Sequence, residues 1–345
     1  MERPVLSICI PTYNRAQFVC DAVQHILSAW AGNEIEIVVS DNHSLDNTQE
    51  LLSGIQDPRF KYYRNNDNLG AAYNTHLAFL RATGQFAYLT SDEDDLRPDE
   101  IPYLLDYLKA HPDTAVFIGG GDLTYTKKRF LDAIYRDPFE ALKAVAFQTR
   151  YMTGIILNQN MYTEQLSGIS FEESAEKWDA YSFMYAIAKL CCCGGVVTSS
   201  HLLFEQPRLT MTDISNNART DGVYYYEPQG RINQMSTWSK EICELPISEY
   251  QKQYMVIKII YDSIELATRF FQPGYIDEVR KTVPDCDYQI YLKRISRLDR
   301  FELTNRILRE GNALFESLFG HTIADCADEG LIEYDRSRKA ALPVE

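Results

Sequence analysis

Asp92 and Asp94 lie two residues apart, just after a short apolar run from Phe86 to Leu89, and Pro98 follows soon after. On an extended or tightly turning backbone this spacing lets both carboxylates approach one bound object while Glu93 points elsewhere. With Asp95 the cluster holds four acids, which repel one another unless a hard cation sits among them. Mg2+ or Mn2+ suits such a place, because it takes one or two carboxylates and completes its shell with water and phosphate oxygens. The same acids also suit the first turn of a helix, where the macrodipole favours negative charge. An EF-hand is excluded, since its loop glycine is missing.

The elements that must carry these acids alternate along the first ~120 residues. Val5 to Ile10 reads as a strand ending at Pro11-Thr12-Tyr13-Asn14, and Arg15 to Ser28 as a helix with Phe18, Ala22, Ile26 and Leu27 at helical spacing. Ile35 to Val39 is a second buried strand, ending at Ser40-Asp41-Asn42. Helices are expected over Asp46 to Ile55, Gly70 to Ala82 and Pro98 to Ala110, and strands over Phe60 to Tyr63, Phe86 to Leu89 and Ala115 to Ile118. Such alternation implies an α/β fold with a mostly parallel sheet flanked by helices on both faces. Ligands of such sheets sit outside the carboxyl ends of the strands. Thr12 and Tyr13, Asp41, and then Asp92 and Asp94 all fall there.

Later elements are less regular. Trp178 to Leu190 reads as an amphipathic helix, and Gly194-Gly195 leads into a β run at Val196-Val197. From about 235 onward helical periodicity dominates, as in Tyr254 to Phe271, Tyr288 to Leu298 and Phe301 to Phe319, with breaks near Pro273-Gly274 and Pro284. Tyr334 to Glu345 is expected to be loosely held.

A chain of 345 residues exceeds one small core, so two parts are expected: 1–232, divided into halves 1–120 and 121–232, and a helical region 233–345. The composition, 45% apolar and 24% charged, is that of an ordinary globular protein. No run of apolar residues is long enough to span a membrane, and the N-terminus lacks the pattern of a signal peptide. A cytoplasmic location follows as the expectation, with room for peripheral contact at the inner face of the membrane. Three of the eight cysteines, Cys191, Cys192 and Cys193, are consecutive, and no CxxC pair suggests zinc. They read as reduced, mostly core residues. A net charge of −15 disfavours nucleic acid as a partner, because binding it needs clustered Lys and Arg. A nucleotide diphosphate stays open, since a bound cation and helix N-termini can supply local positive potential.

Five segments occur in an order that resembles family 2 glycosyltransferases with the GT-A fold. They are Ser7-Ile8-Cys9-Ile10-Pro11-Thr12-Tyr13-Asn14-Arg15, Ile37-Val38-Val39-Ser40-Asp41-Asn42, Asn68-Leu69-Gly70-Ala71, Gly84-Gln85-Phe86-Ala87-Tyr88 and Ser91-Asp92-Glu93-Asp94. The likeness is close over about the first 110 residues. It implies that Pro11, Thr12, Tyr13 and Arg15 belong to the nucleotide site, with Tyr13 offering its ring to the base. Asp41 would accept a hydrogen bond from a pyrimidine N–H; the plain alternative is a helix cap. Asn42-His43 stands where the family often has Asp-Gly. Asn68 and Gly70 would let the backbone pass close to the nucleotide, or simply cap a helix. Asp92 would lie near the ribose, and Asp94 on the Mn2+ or Mg2+ that bridges the diphosphate.

The resemblance further implies an inverting transferase that moves one sugar from a nucleotide diphosphate sugar, with UDP favoured. The acceptor would be a hydroxyl of a saccharide or lipid-linked glycan, in polysaccharide biosynthesis. Its general base should open a downstream helix; Asp179, behind Trp178, is the choice, with Glu172, Glu173 and Glu176 as alternatives and an acidic first helical turn as the plain reading. Arg231 is a candidate to reach the phosphates, with a plain surface arginine as the alternative. The Gln-x-x-Arg-Trp signature of processive synthases is absent, which favours single transfer. The helical end, rich in aromatics at Tyr254, Tyr261, Phe270, Phe271 and Tyr275, would bury its faces in its own core, bind acceptor or form a homodimer. A nicotinamide dehydrogenase is disfavoured because no glycine-rich turn follows the first strand. A non-catalytic, nucleotide-sugar-binding or scaffold relative is the remaining rival.

Overall fold

Leu6, Ile8 and Ile10 alternate along the first strand and are fully buried on one side of it. This strand, β1 (Leu6–Thr12), pairs in parallel with β2 (Ile35–Asp41) on one edge and β4 (Phe86–Leu89) on the other, and β3 (Phe60–Arg64) extends β2 in parallel. The intervening helices are α1 (Ala16–Ala29), α2 (Thr48–Ser53) and α3 (Gly70–Arg81). Every strand of this half runs the same way, so their carboxyl ends share one rim. Strand order reverses between β1 and β4, and a crevice for ligand is expected outside the carboxyl ends of that pair.

The structure is a computed structural model that describes residues 3–123, 126–128, 130–147, 151–177, 182–206, 219–220, 223–224, 228–268, 271 and 298–342. Beyond β4 the sheet is mixed. Following β5 (Asp95–Leu96) and α4 (Ile101–Ala110), the chain lays down β6 (Thr114–Leu123), β7 (Thr126–Lys128), β8 (Ala133–Tyr135) and α5 (Pro138–Val145). Then β9 (Ile155–Asn158) inserts antiparallel between β4 and β6, and β10 (Gly195–Glu205) runs parallel to β6. The order is β3-β2-β1-β4-β9-β6-β10-β5, with β7 on β6 and β8 on β10. Because β9 runs against β4, its first residues lie beside the last residues of β4, with Ile155 opposite Leu89. That reversal brings the chain around residue 153 to the rim where the acids stand.

On one face α1 and α4 bury Val23, Ile26, Leu104 and Leu108 against Ile8, Phe86 and Tyr88. The other face is covered by α3, α6 (Gln159–Leu166) and α8 (Ser182–Cys191). Pro98 opens a 3-10 turn, Pro98–Glu100, that leads into α4, in keeping with the fixed φ of proline at a first helical turn. The short β run expected at Val196-Val197 is an eleven-residue strand, since β6 supplies a partner along most of its length. Helix α7 (Phe171–Lys177) begins at Ser170, whose hydroxyl accepts from the Glu173 N–H at 3.2 Å while the Glu173 carboxylate accepts from the Ser170 N–H at 3.1 Å. This is a reciprocal capping box. The described cysteines are free thiols; Cys191 is buried, Cys192 half-buried and Cys193 exposed.

Contacts divide the chain into two units, Met1–Pro207 and Arg208–Glu345. The second unit has a β-pair, β11 (Arg219–Thr220) with β12 (Val223–Tyr224), and four described helices: α9 (Pro228–Cys243), α10 (Glu249–Thr268), α11 (Arg300–Phe319) and α12 (Glu329–Ala340). Ile257, Ile260 and Ile264 of α10 and Ile307 and Phe315 of α11 are buried. The described part of the last stretch, Tyr334 to Leu342, is not loose. Tyr334 stacks on Tyr254 with centroids 4.6 Å apart, and the buried Asp335 accepts the Tyr261 hydroxyl at 2.5 Å. A carboxylate with a fixed donor and the apolar Leu331 one turn earlier anchor this last helix. Tyr254 and Tyr261 therefore pack within their own unit, while Phe270, Tyr275, Pro273-Gly274, Pro284 and nearly all of Tyr288 to Leu298 lie outside the described residues. Among the described residues no helix is long and apolar enough to cross a membrane.

Candidate active site

Thr12, the last residue of β1, joins the two halves of the site. It lies opposite Asp41 in the β1–β2 ladder, and its hydroxyl donates to Asp92 Oδ2 at 2.6 Å across the β1–β4 crevice. Three residues later Arg15 sits with its Nε 3.4 Å from Asp92 Oδ1 and its guanidinium on the Glu93 carboxylate. Two of the four acids thus share one arginine, and the mutual repulsion anticipated from the sequence is partly relieved by the protein itself. Asp92 is buried, which raises its carboxyl above the ordinary range, while Arg15 and the Thr12 hydroxyl pull the other way. Asp95 is exposed on β5.

Asp94 differs. It is 3% exposed, and among the described residues no Lys or Arg pairs with it. Its Oδ1 accepts the Tyr151 hydroxyl at 2.5 Å and its Oδ2 accepts the Thr153 hydroxyl. Burial pushes its carboxyl up to about 7; the two hydroxyls lower it, and the neighbouring Glu93 and Asp92 charges raise it. A buried carboxylate whose described partners are all neutral donors is electrostatically incomplete.

Tyr151 and Thr153 reach Asp94 because of the strand reversal at β9 and because of one glycine. Gly154 has φ +93°, and a Cβ there would meet the Gly119 carbonyl and the Phe204 ring at 3.0 Å. Only glycine takes this conformation freely. The Tyr151 ring lies parallel to Phe204 at 5.4 Å, and its hydroxyl accepts from Gln206 Nε2 at 2.9 Å, just past the end of β10. None of these residues stood out in the sequence, since they belong to three separate segments with no motif of their own.

Asp41 is fully buried. Its Oδ1 accepts the Ser44 N–H at 2.9 Å and the Ser44 hydroxyl at 2.5 Å, while Oδ2 accepts the Tyr62 hydroxyl at 2.6 Å and has Arg64 Nε at 3.6 Å. Asn68 Oδ1 accepts from Asn42 Nδ2 at 2.7 Å and from the Gly70 N–H at 3.0 Å, and Gly70 takes φ +76° at the start of α3. Tyr13 and Pro11 are half-buried beside Thr12. Pro11, Thr12, Arg15, Asp92 and Asp94 are thereby gathered at the ends of β1 and β4, with Asp41 one strand away and Asn68 and Gly70 bonded through Asn42, whose N–H donates to the Thr12 carbonyl at 2.9 Å. Asp179 and Trp178 lie outside the described residues, as does the Glu176 side chain. Glu172 is exposed on α7, and Glu173 is engaged in its capping box. Arg231 lies in the second unit, buried on α9 and donating to Gln234 at 2.8 Å.

Residues 7–161 match the profile of the family described as glycosyl transferase family 2. The chain carries a family 2 glycosyltransferase domain. Over 113 residues the chain is 32% identical to the abequosyltransferase RfbV of Salmonella typhimurium, covering 32% of this chain and 34% of that protein. Over 96 residues it is 33% identical to the GalNAc(5)-diNAcBac-PP-undecaprenol beta-1,3-glucosyltransferase of Campylobacter jejuni, covering 27% and 31%. The chain thus spans about a third of the length of these curated relatives. Its fold is similar to that of S. aureus TarS 1–349, with a TM-score of 0.59 and 13% identity over 96% of this chain and 87% of that one; TarS is also solved in complex with UDP-GlcNAc. The glycosyltransferase domain therefore has the GT-A architecture, with the acidic Ser91-Asp92-Glu93-Asp94 turn at the rim of its sheet.

Proposed function

We propose that this protein transfers a single sugar from a nucleotide diphosphate sugar, with UDP as the nucleotide, to a hydroxyl of a saccharide or lipid-linked glycan. The observation that carries the reading is Asp94: a buried carboxylate at the strand-order switch, held by two hydroxyls and lacking a cationic partner among the described residues. The UDP-GlcNAc complex of TarS supports the choice of nucleotide, and the undecaprenol-linked acceptor in the name of the Campylobacter relative supports the acceptor class.

The donor set fits a magnesium-like ion. Among the described residues no three His, Cys, Asp or Glu side chains converge to hold a metal alone. An ion that takes one carboxylate and completes its shell with phosphate oxygens and water needs no such cluster. Asp94 would hold it, and when bound it would neutralise charge on the departing diphosphate. Thr12 and Arg15 hold Asp92, which is proposed to lie near the ribose. Asp179 is proposed to take the proton from the acceptor hydroxyl as that oxygen displaces the diphosphate with inversion. Asp41 is proposed to meet the base through the one lone pair of Oδ2 that the Tyr62 hydroxyl leaves unused.

Titration calorimetry with UDP, in Mn2+ and in EDTA, tests the donor half. Binding strengthened by Mn2+ is expected, and equal affinity in both conditions would remove the cation from the site. Product analysis with UDP-sugars and glycan acceptors tests transfer, and donor binding without turnover for any pair would favour a non-catalytic relative.

A further inference from the structure

We infer that Thr153 and Tyr151 are positioning residues whose hydroxyls hold the Asp94 carboxylate in place as the ligand for the cation that accompanies the diphosphate. This rests on the donor reading above.

Both hydroxyls come from a segment 57 and 59 positions away in the chain, and each approaches a different oxygen of Asp94. The direction of each bond follows from what fills the acceptor side of the hydroxyl. Thr153 Oγ1 accepts the Ser91 N–H at 2.9 Å, so its proton goes to Asp94. Tyr151 accepts from Gln206 Nε2, so its proton also goes to Asp94. Two donors on two oxygens fix the plane of the carboxylate, which a single contact would leave free to rotate.

Neutral donors have a second consequence. A lysine or arginine in their place would cancel the charge that a cation needs, as Arg15 does in part for Asp92 and Glu93. Hydroxyls orient the carboxylate and leave its charge in place. Each carboxylate oxygen has two lone-pair directions, so one remains after the hydroxyl is satisfied. The hydroxyls are themselves held. The Tyr151 ring lies against Phe204, and Thr153 is tied to Ser91 at the entry of the acidic turn. Groups that orient a ligand in this way typically contribute about 10- to 100-fold to metal affinity.

The test is UDP titration calorimetry on the wild type, Thr153→Val, Thr153→Ser and Tyr151→Phe, each with MnCl2 and with EDTA. The expected result is a loss of about 10- to 100-fold in the Mn2+-dependent gain for Thr153→Val and Tyr151→Phe, with affinity in EDTA unchanged and the gain restored in Thr153→Ser. A purely structural role would lower both affinities together, and that outcome overturns the assignment. A full Mn2+ gain in both Thr153→Val and Tyr151→Phe overturns it as well while leaving the donor reading intact. A wild type that shows no Mn2+ gain refutes the donor reading and the assignment with it.

Discussion

Tyr62 donates its hydroxyl to Asp41 Oδ2 at 2.6 Å, from the neighbouring strand and on the same side of the sheet. Ser44 supplies two further donors to Oδ1. The aspartate that the resemblance assigns to a pyrimidine is thus also a buried tie between β2, β3 and the loop that leads to α2.

Asp41→Ala should accordingly lower stability as well as nucleotide affinity. It would strand the Tyr62 hydroxyl and the Ser44 N–H, and a loss of about 2–4 kcal/mol is expected from urea denaturation. Tyr62→Phe removes one donor and leaves the carboxylate bonded, so about 0.5–1.5 kcal/mol is expected. A nucleotide affinity unaffected by Asp41→Ala would confine this residue to structure.

Asp94 should make the ligand-free protein less stable as pH rises. Its folded carboxyl titrates at about 7, above the value of about 4 for an unfolded aspartate. A folded state that binds the proton more tightly keeps its full contribution below about pH 4 and loses it as pH climbs through about 7. Asp94→Asn should remove this slope and leave the variant more stable than wild type at pH 8 by up to about 4 kcal/mol, measured in EDTA. If both proteins lose the same stability between pH 5 and pH 8, the Asp94 carboxyl is ionised throughout.

Arg15→Met should destabilise the acidic turn. Asp92 and Glu93 would lose their cation, and breaking a largely buried pair of this kind costs about 3–5 kcal/mol when the stranded charge stays buried. Acid should rescue the variant in part, because protonating Asp92 removes the stranded charge. Denaturation midpoints at pH 5 and pH 8 measure the effect, and a variant penalised equally at both would point to lost packing on Phe18, over whose ring Arg15 sits at 4.8 Å.

Turnover should separate the two proposed catalytic aspartates. Asp179→Asn is expected to lower the rate by about 10²–10⁴-fold with donor binding unchanged, since a base touches only the acceptor. Asp94→Asn should abolish transfer together with the Mn2+-dependent gain in UDP affinity. Normal turnover in the Asp179 variant would move the search to Glu176 and Glu172, because Glu173 already caps α7.

The first half of the sheet was legible in the sequence because its signals are local. Apolar runs such as Leu6 to Ile10 and Ile35 to Val39 have to be buried, helices separate them, and their polar ends must then share one rim. Thr12, Asp41, Asp92 and Asp94 could be singled out on that ground before any contact was known. What pairs with each acid was not legible. Arg15 pairs with Asp92 and Glu93 across 77 and 78 positions, and Tyr151 and Thr153 reach Asp94 from beyond β8. The last two partners depend on β9 running antiparallel to β4, and nothing in the four residues Ile155 to Asn158 states a direction. The end of the chain shows the same division. The run from Tyr334 reads as loosely held, yet Asp335 and Tyr261 meet across 74 positions once α12 packs on α10. Periodicity determined which segments had to be buried and which residues stood at their ends. Long-range pairing decided which acids share an arginine and which one meets hydroxyl donors, because a carboxylate's character is set by the groups around it in space and not by its neighbours in the chain.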